Sequence, residues 1–152
     1  MTGNIKKFFR GFGYAWQGIV YAVRTQINFR FHIVAALWVT VISKFYELSK
    51  AEYAVLFITI ALVISMELIN TAVEKAVDLI TDKKSELAKA AKDTAAGAVL
   101  ISAAGAVIVA VCLFGDLSGI VNAWNHLLVN PIAMVSVLVL AVASFIFVYK
   151  GI

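Results

Sequence analysis

Cysteine, proline and charge are all scarce in this chain. Cys112 is its only cysteine, so no internal disulfide and no cysteine-built metal site can form, and its setting in the apolar run AVIVAVCLF reads as that of a small buried hydrophobe. Pro131 is the only proline, and no tandem repeat or low-complexity linker interrupts the chain. Asp, Glu, Lys and Arg make up 14% of 152 residues, against roughly a quarter in soluble globular domains. That shortage excludes an ordinary soluble fold. Nucleotide signatures are missing too: GxxxxGK[ST] is absent, and GFGYAWQG at Gly11–Gly18 fails GxGxxG because Trp16 stands at the third glycine. His32 and His126 are isolated, so there is no paired-histidine metal motif, and His32 reads as an interfacial hydrogen-bonding residue. The first thirty residues hold no compact apolar core with a small-residue cleavage site, so no cleaved signal peptide is expected. Nothing points to nucleic acid as a partner.

What the chain has in quantity is apolar surface, 62% of its residues with a mean hydropathy of +0.94. It reads as a membrane protein, and because lipid satisfies no backbone group, its spans must be helices. Four segments suit a requirement of about 20 residues per crossing: about 29–48, 51–73, 94–114 and 131–149, the first lengthened by snorkelling of Lys44. Lys6, Lys7, Arg10, Arg24 and Arg30 precede the first span, and Lys75, Lys83, Lys84, Lys89 and Lys92 fall between the second and third. The positive-inside rule therefore places both regions, and Lys150, in the cytoplasm, with the uncharged 117–130 link outside. Phe8, Phe9, Phe12, Trp16, Ile19, Val20, Val23 and Ile27 recur in steps of about three and four, marking an amphipathic helix over about 5–27. A basic helix of this kind lies in the plane of an anionic leaflet, and the plain reading of the pattern is that it anchors the protein. The fold class is thus all-α integral membrane: a surface helix, three core transmembrane helices and a fourth at the C-terminus. Ala98, Ser102, Ala106 and Ala110, four apart, let another helix approach the third span closely.

The second span leaves the hydrocarbon as ELINTAVEKAVD, Glu67–Asp78. At 100° per residue Glu67, Asn70, Thr71, Glu74 and Asp78 share one side of the helix over about three turns. Carboxylates at this boundary are expensive and so are functional candidates. The plainer alternative is that Glu74 and Asp78 sit in the cytoplasm and pair with Lys75, Lys83 or the basic N-terminal helix. The depth gradient suits divided labour, in which the more desolvated Glu67 accepts a proton and Glu74, at the wet edge, holds a cation. Lys83, Lys84 and Lys89 suit lipid headgroups and topology, whereas Lys92 and Asp93 start the third helix, where a basic group can meet phosphate.

ELINTAVEKAVD, LAKAAKDTAAGAVL and GYAWQGIVYAVRTQINFRFH together closely resemble the signature of the prokaryotic diacylglycerol kinase family, small membrane kinases that include the undecaprenol kinases. The likeness covers roughly residues 5–115, giving a kinase domain over 1–115 and a segment 116–152 that holds the link and the extra span. The resemblance implies transfer of the ATP γ-phosphate to a lipid hydroxyl with Mg2+, by homotrimers whose active sites are shared between subunits at the cytoplasmic face of the bacterial inner membrane. It implies Glu67 as catalytic base with Asn70 beside it, Glu74 as a magnesium ligand, and nucleotide contacts from Lys7, Arg10, Tyr14, Lys83, Lys84, Ser85, Lys92 and Asp93. Where diacylglycerol kinases have a second metal-binding glutamate, this chain has Gln26, a neutral ligand at best. NFRFHIVAA and AKAAKDTAAGAVL resemble the undecaprenol branch more than the diacylglycerol branch, so undecaprenol is the expected substrate and diacylglycerol the alternative. A non-catalytic scaffold or small transporter subunit is the alternative of another class.

Overall fold

A single extended residue, Gln26 (φ −111°, ψ 112°), separates the first two helices, α1 (Thr2–Thr25) and α2 (Ile27–Ile42). The computed structural model describes residues 2–81 and 85–151, with the side chains of residues 2–4 left aside. After α2 a short 3-10 turn, Ser43–Phe45, leads to α3 (Lys50–Ile80) and α4 (Glu86–Phe114), then α5 (Ser118–Val129) and α6 (Pro131–Lys150). Four of these elements are long and apolar enough to cross a membrane: Ile27–Phe45, α3, α4 and α6. They coincide with the four segments expected from hydropathy.

α3 begins with a capping box. Ser49 Oγ accepts from Glu52 N at 3.3 Å and Glu52 Oε2 accepts from Ser49 N at 2.7 Å, so two otherwise unpaired donors of the first turn are satisfied. The helix then runs for 31 residues, about 46 Å, beyond the roughly 30 Å of a bilayer's hydrocarbon. Its final turns therefore stand clear of the apolar layer as unbroken helix. α4, at 29 residues, likewise starts before the segment expected to be in the membrane. The two form an antiparallel hairpin and pack on each other more extensively than any other pair of helices, with Ser102 of the small-residue face buried.

Few apolar side chains are fully buried; Ala22, Phe29, Leu56, Val63 and Val148 form the small core. Many of the rest, such as Leu100, Ile101, Val107, Ile108 and Val111 of α4, face outward, as suits a chain whose solvent is lipid. α6 lies beside α2 and antiparallel to it: Trp38 Nε1 donates to Ser144 Oγ at 3.3 Å, and Arg30, two turns earlier in α2, meets Val148, one turn later in α6. α6 opens on a capped turn in which Asn130 Oδ1 accepts from Ala133 N at 3.1 Å and Pro131 occupies the position where a missing N–H costs nothing.

The 117–130 link, read from sequence only as an uncharged connection, contains a 12-residue helix. Tyr46 holds it in place. The Tyr46 hydroxyl donates to Asp116 O at 2.9 Å and Phe114 O at 3.3 Å, closing the C-terminal end of α4, and its ring lies edge-on to Phe114 at 5.0 Å. The same ring lies against Gly119, where an added Cβ would overlap it. Asp116 accepts from Ser118 N at 2.9 Å and from its hydroxyl at 2.7 Å, bonds that hold its carboxyl below the usual carboxylate range. Gly119→Ala should therefore lower stability by about 1–3 kcal/mol, measured as a fall in thermal unfolding temperature in detergent micelles; an unchanged melting curve would show that α5 does not pack on Tyr46.

Candidate active site

The polar stripe of α3 starts inside the protein and ends in the open. Glu67 is 2% exposed, and Asn70 and Thr71 are also buried, whereas Glu74 is half-buried and Asp78 exposed. Thr71 directs its hydroxyl back to the Glu67 carbonyl at 2.9 Å, so it is spent on its own helix. Asn70 is differently placed. Its Nδ2 donates to Glu74 Oε1 at 3.0 Å, one turn on, and this orients Oδ1 inward, where it is buried with no donor reaching it. An unmatched buried acceptor beside a carboxylate is a costly arrangement unless something positive or hydrogen-donating fills it.

Glu67 compounds that requirement. Among the described residues no cation and no hydrogen-bond donor meets its carboxylate. The stripe thus presents the Glu67 carboxylate, the orphaned Asn70 Oδ1 and the Glu74 carboxylate in succession. Hard oxygen donors of this kind fit magnesium, which keeps several waters and takes only one or two protein carboxylates alongside substrate phosphates. No cluster of three His, Cys, Asp or Glu side chains that could hold a metal ion occurs among the described residues.

Beyond Glu74 the projecting ends of α3 and α4 are cross-braced. Lys92 of α4 makes a short charged hydrogen bond to Asp78 Oδ1, and Lys75 lies 3.7 Å from the other carboxylate oxygen. Pairs this exposed are screened by water and contribute little, so the Lys92 ammonium can change partners at small cost. Asp93, on the next position, pairs with Lys89. Asp78 therefore does make the pair with Lys75 that the plainer reading foresaw, and a second with Lys92 that it did not. A groove of about 740 Å³ runs between α1 and this end of α3, with Gly18, Ala22 and Tyr21 on one wall and Thr71, Lys75 and Asp78 on the other. An apolar cavity of about 270 Å³ lies deeper, between α2, α3 and α4, and includes Val63, one turn before Glu67.

The remaining sequence candidates are spread along the molecule. Lys7, Arg10 and Tyr14 are exposed on the arm of α1, and no hydrogen bond or ion pair among the described residues joins them to the α3 stripe. Gln26 is half-buried at the elbow and makes no capping hydrogen bond. Ser85 precedes α4 without a side-chain cap, and Lys83 and Lys84 lie outside the described residues. His32 lines the apolar cavity beside Phe31. One buried charged residue is not evident from the sequence: Arg30, which reads there only as a topogenic charge, is 7% exposed. A single cation inside the apolar run NFRFHIVAA was the available signal.

The family model described as prokaryotic diacylglycerol kinase matches residues 13–114. The chain is 46% identical to the undecaprenol kinase of Bacillus subtilis (strain 168) over 119 residues, 78% of this chain and 87% of that protein. It is 48% identical to a diacylglycerol kinase of Synechocystis sp. over 82 residues, 53% of this chain and 47% of that one. With the Escherichia coli (strain K12) diacylglycerol kinase it shares 31% identity over 91 residues, 60% of this chain and 75% of its relative.

Because the Glu67 carboxylate is buried without a countercharge, neutralising it should not weaken the fold. Glu67→Gln is expected to unfold in magnesium-free micelles at or above the temperature of the parent chain. A loss exceeding about 1 kcal/mol would mean that a hydrogen-bonding partner holds the carboxylate in place.

Proposed function

The chain belongs to the prokaryotic diacylglycerol kinase family and is a multi-pass membrane phosphotransferase with an alcohol group as acceptor; from that premise we propose that it phosphorylates the primary hydroxyl of undecaprenol with ATP and magnesium. The observation that carries the reading is the α3 stripe, in which an unpaired buried carboxylate stands one turn from the Asn70–Glu74 oxygen pair. The identity to the Bacillus subtilis undecaprenol kinase, over most of both chains, supports the choice of lipid. Diacylglycerol is the second reading, favoured by the shorter but equally close match to the Synechocystis protein.

On this reading Glu67 takes the proton of the lipid hydroxyl as its oxygen attacks the γ-phosphorus, the new P–O bond forms, and the bond to the β-phosphate bridging oxygen breaks to release ADP. Asn70 and Glu74 would hold magnesium, with Gln26 as a neutral third candidate, and the ion supplies neutralisation of charge on the transferring phosphate. Lys92, free to exchange Asp78 for an anion, orients the phosphates together with Asp93. Ser85 precedes α4 at the same end of the hairpin and, with Lys83 and Lys84 just before it in sequence, would add to the nucleotide side. The 740 Å³ groove beside α1 admits the lipid headgroup, and the apolar cavity that reaches Val63 receives the start of its tail.

Phe8, Phe9, Phe12 and Trp16 are more than 60% exposed, so the arm of α1 needs a membrane surface or a neighbour. In a homotrimer it would meet both, bringing Lys7, Arg10 and Tyr14 to a site shared with the next subunit. The use of ATP and the basic ends of the spans support a site at the cytoplasmic face of the bacterial inner membrane.

In mixed micelles with labelled ATP and magnesium, the purified chain should phosphorylate undecaprenol with a higher kcat/KM than diacylglycerol, and Glu67→Gln should lower kcat at least 100-fold. No product with either lipid, or full activity in Glu67→Gln, would refute the mechanism, and preference for diacylglycerol would reverse the substrate assignment. Gln26→Glu should tighten the apparent magnesium affinity if residue 26 is a ligand; an unchanged titration removes it from the metal site.

A further inference from the structure

Arg30 stands four residues into α2, buried among apolar neighbours. A guanidinium at this depth is tolerated only if its polar edge is met. Here the main chain meets it. Nε donates to Val148 O at 2.9 Å, and Nη1 donates to Val23 O at 2.9 Å and reaches Arg24 O at 3.3 Å.

Those three carbonyls have one property in common. Val23 and Arg24 belong to the last turn of α1, and Val148 belongs to the last turn of α6. The last four carbonyls of a helix lack intrahelical donors and carry the negative end of its dipole. One planar fork of donors therefore closes the ends of two helices that are far apart in sequence, a geometry that arginine offers and lysine does not. The attachment has a second point, since Ser144, one turn before Val148, accepts from Trp38. Ser144 and Val148 are also the buried residues of α6, so its line of contact runs along α2 and finishes on Arg30. Gly151, at φ 71°, turns the chain beside the same guanidinium: a Cβ there would come within 3.4 Å of Nη1.

We propose that Arg30 is a positioning residue that latches the C-terminal span to the elbow between α1 and α2, so that α6 fixes how α1 stands over the groove. The family match stops at residue 114, and the latch joins the matched segment to the helix beyond it. Gln26 is the elbow, and Ala22, one turn before it, lines the groove facing Thr71 and Asp78. Movement of α6 therefore reaches the groove through one side chain. The consequence for catalysis rests on the lipid-kinase reading above; the latch itself does not.

The test uses the full chain in micelles, with amide hydrogen exchange as a readout independent of activity. Arg30→Lys keeps the charge but cannot serve both helix ends, so exchange in the last turns of α1 and α6 should quicken together, at least tenfold. Ser144→Phe wedges α6 from α2 without touching α1, and it should quicken the last turn of α1 by a similar factor. The Arg30→Lys, Ser144→Phe double variant should go no further than either alone, since both remove one linkage. Unchanged α1 exchange in Ser144→Phe, or factors that multiply in the double variant, would overturn the latch. In the kinase assay Ser144→Phe should raise the KM for the lipid substrate at least threefold. Coupled exchange with kcat and KM both unchanged would overturn the positioning role, while leaving the assignment of Glu67 to be judged by its own variant.

Discussion

A bilayer's hydrocarbon solvates neither a carboxylate nor an open peptide group, and every polar feature of this protein is arranged around that fact. The α3–α4 hairpin answers it with length. Because both helices outrun the apolar layer without a break, a single rigid face passes from a site with no water to one with plenty. Glu67, Asn70, Glu74 and Asp78 are successive stations on that face, which passes from buried at Glu67 and Asn70 through half-buried at Glu74 to exposed at Asp78. A phosphoryl donor that is soluble and an acceptor that is not can meet only along such a line.

The electrostatics of the stripe follow the same gradient. At its outer end Asp78 is matched by Lys92 and Lys75, pairs that water screens and that form and exchange cheaply. At its inner end Glu67 and Asn70 Oδ1 are left without partners from the described chain. The protein is thus satisfied where solvent could have done the work and unsatisfied where it could not.

The spans were legible in the sequence because hydropathy over about 20 residues reports a solvent, not a contact. The stripe was legible because helical periodicity places 67, 70, 74 and 78 together before any folding is considered. The helix over Ser118–Val129 was not, since a short uncharged segment has no decisive period and Tyr46, which holds it, lies 70 residues away from Asp116 in sequence. The partner of Lys92 was equally hidden: Asp78 becomes its neighbour only through the closing of the hairpin. The candidates on the arm of α1 stay apart from the stripe within one chain, exposed and joined to it by no hydrogen bond or ion pair among the described residues.

Arg30 was visible as a charge but not as a junction, and the reason extends beyond this molecule. It recognises α6 through a peptide oxygen, which every residue type at position 148 would present. A contact of that kind leaves no complementary side chain to be selected alongside it. Helices with unrelated sequences could dock on the same guanidinium, so an appended span can be exchanged or redesigned in evolution while the surface that receives it stays constant.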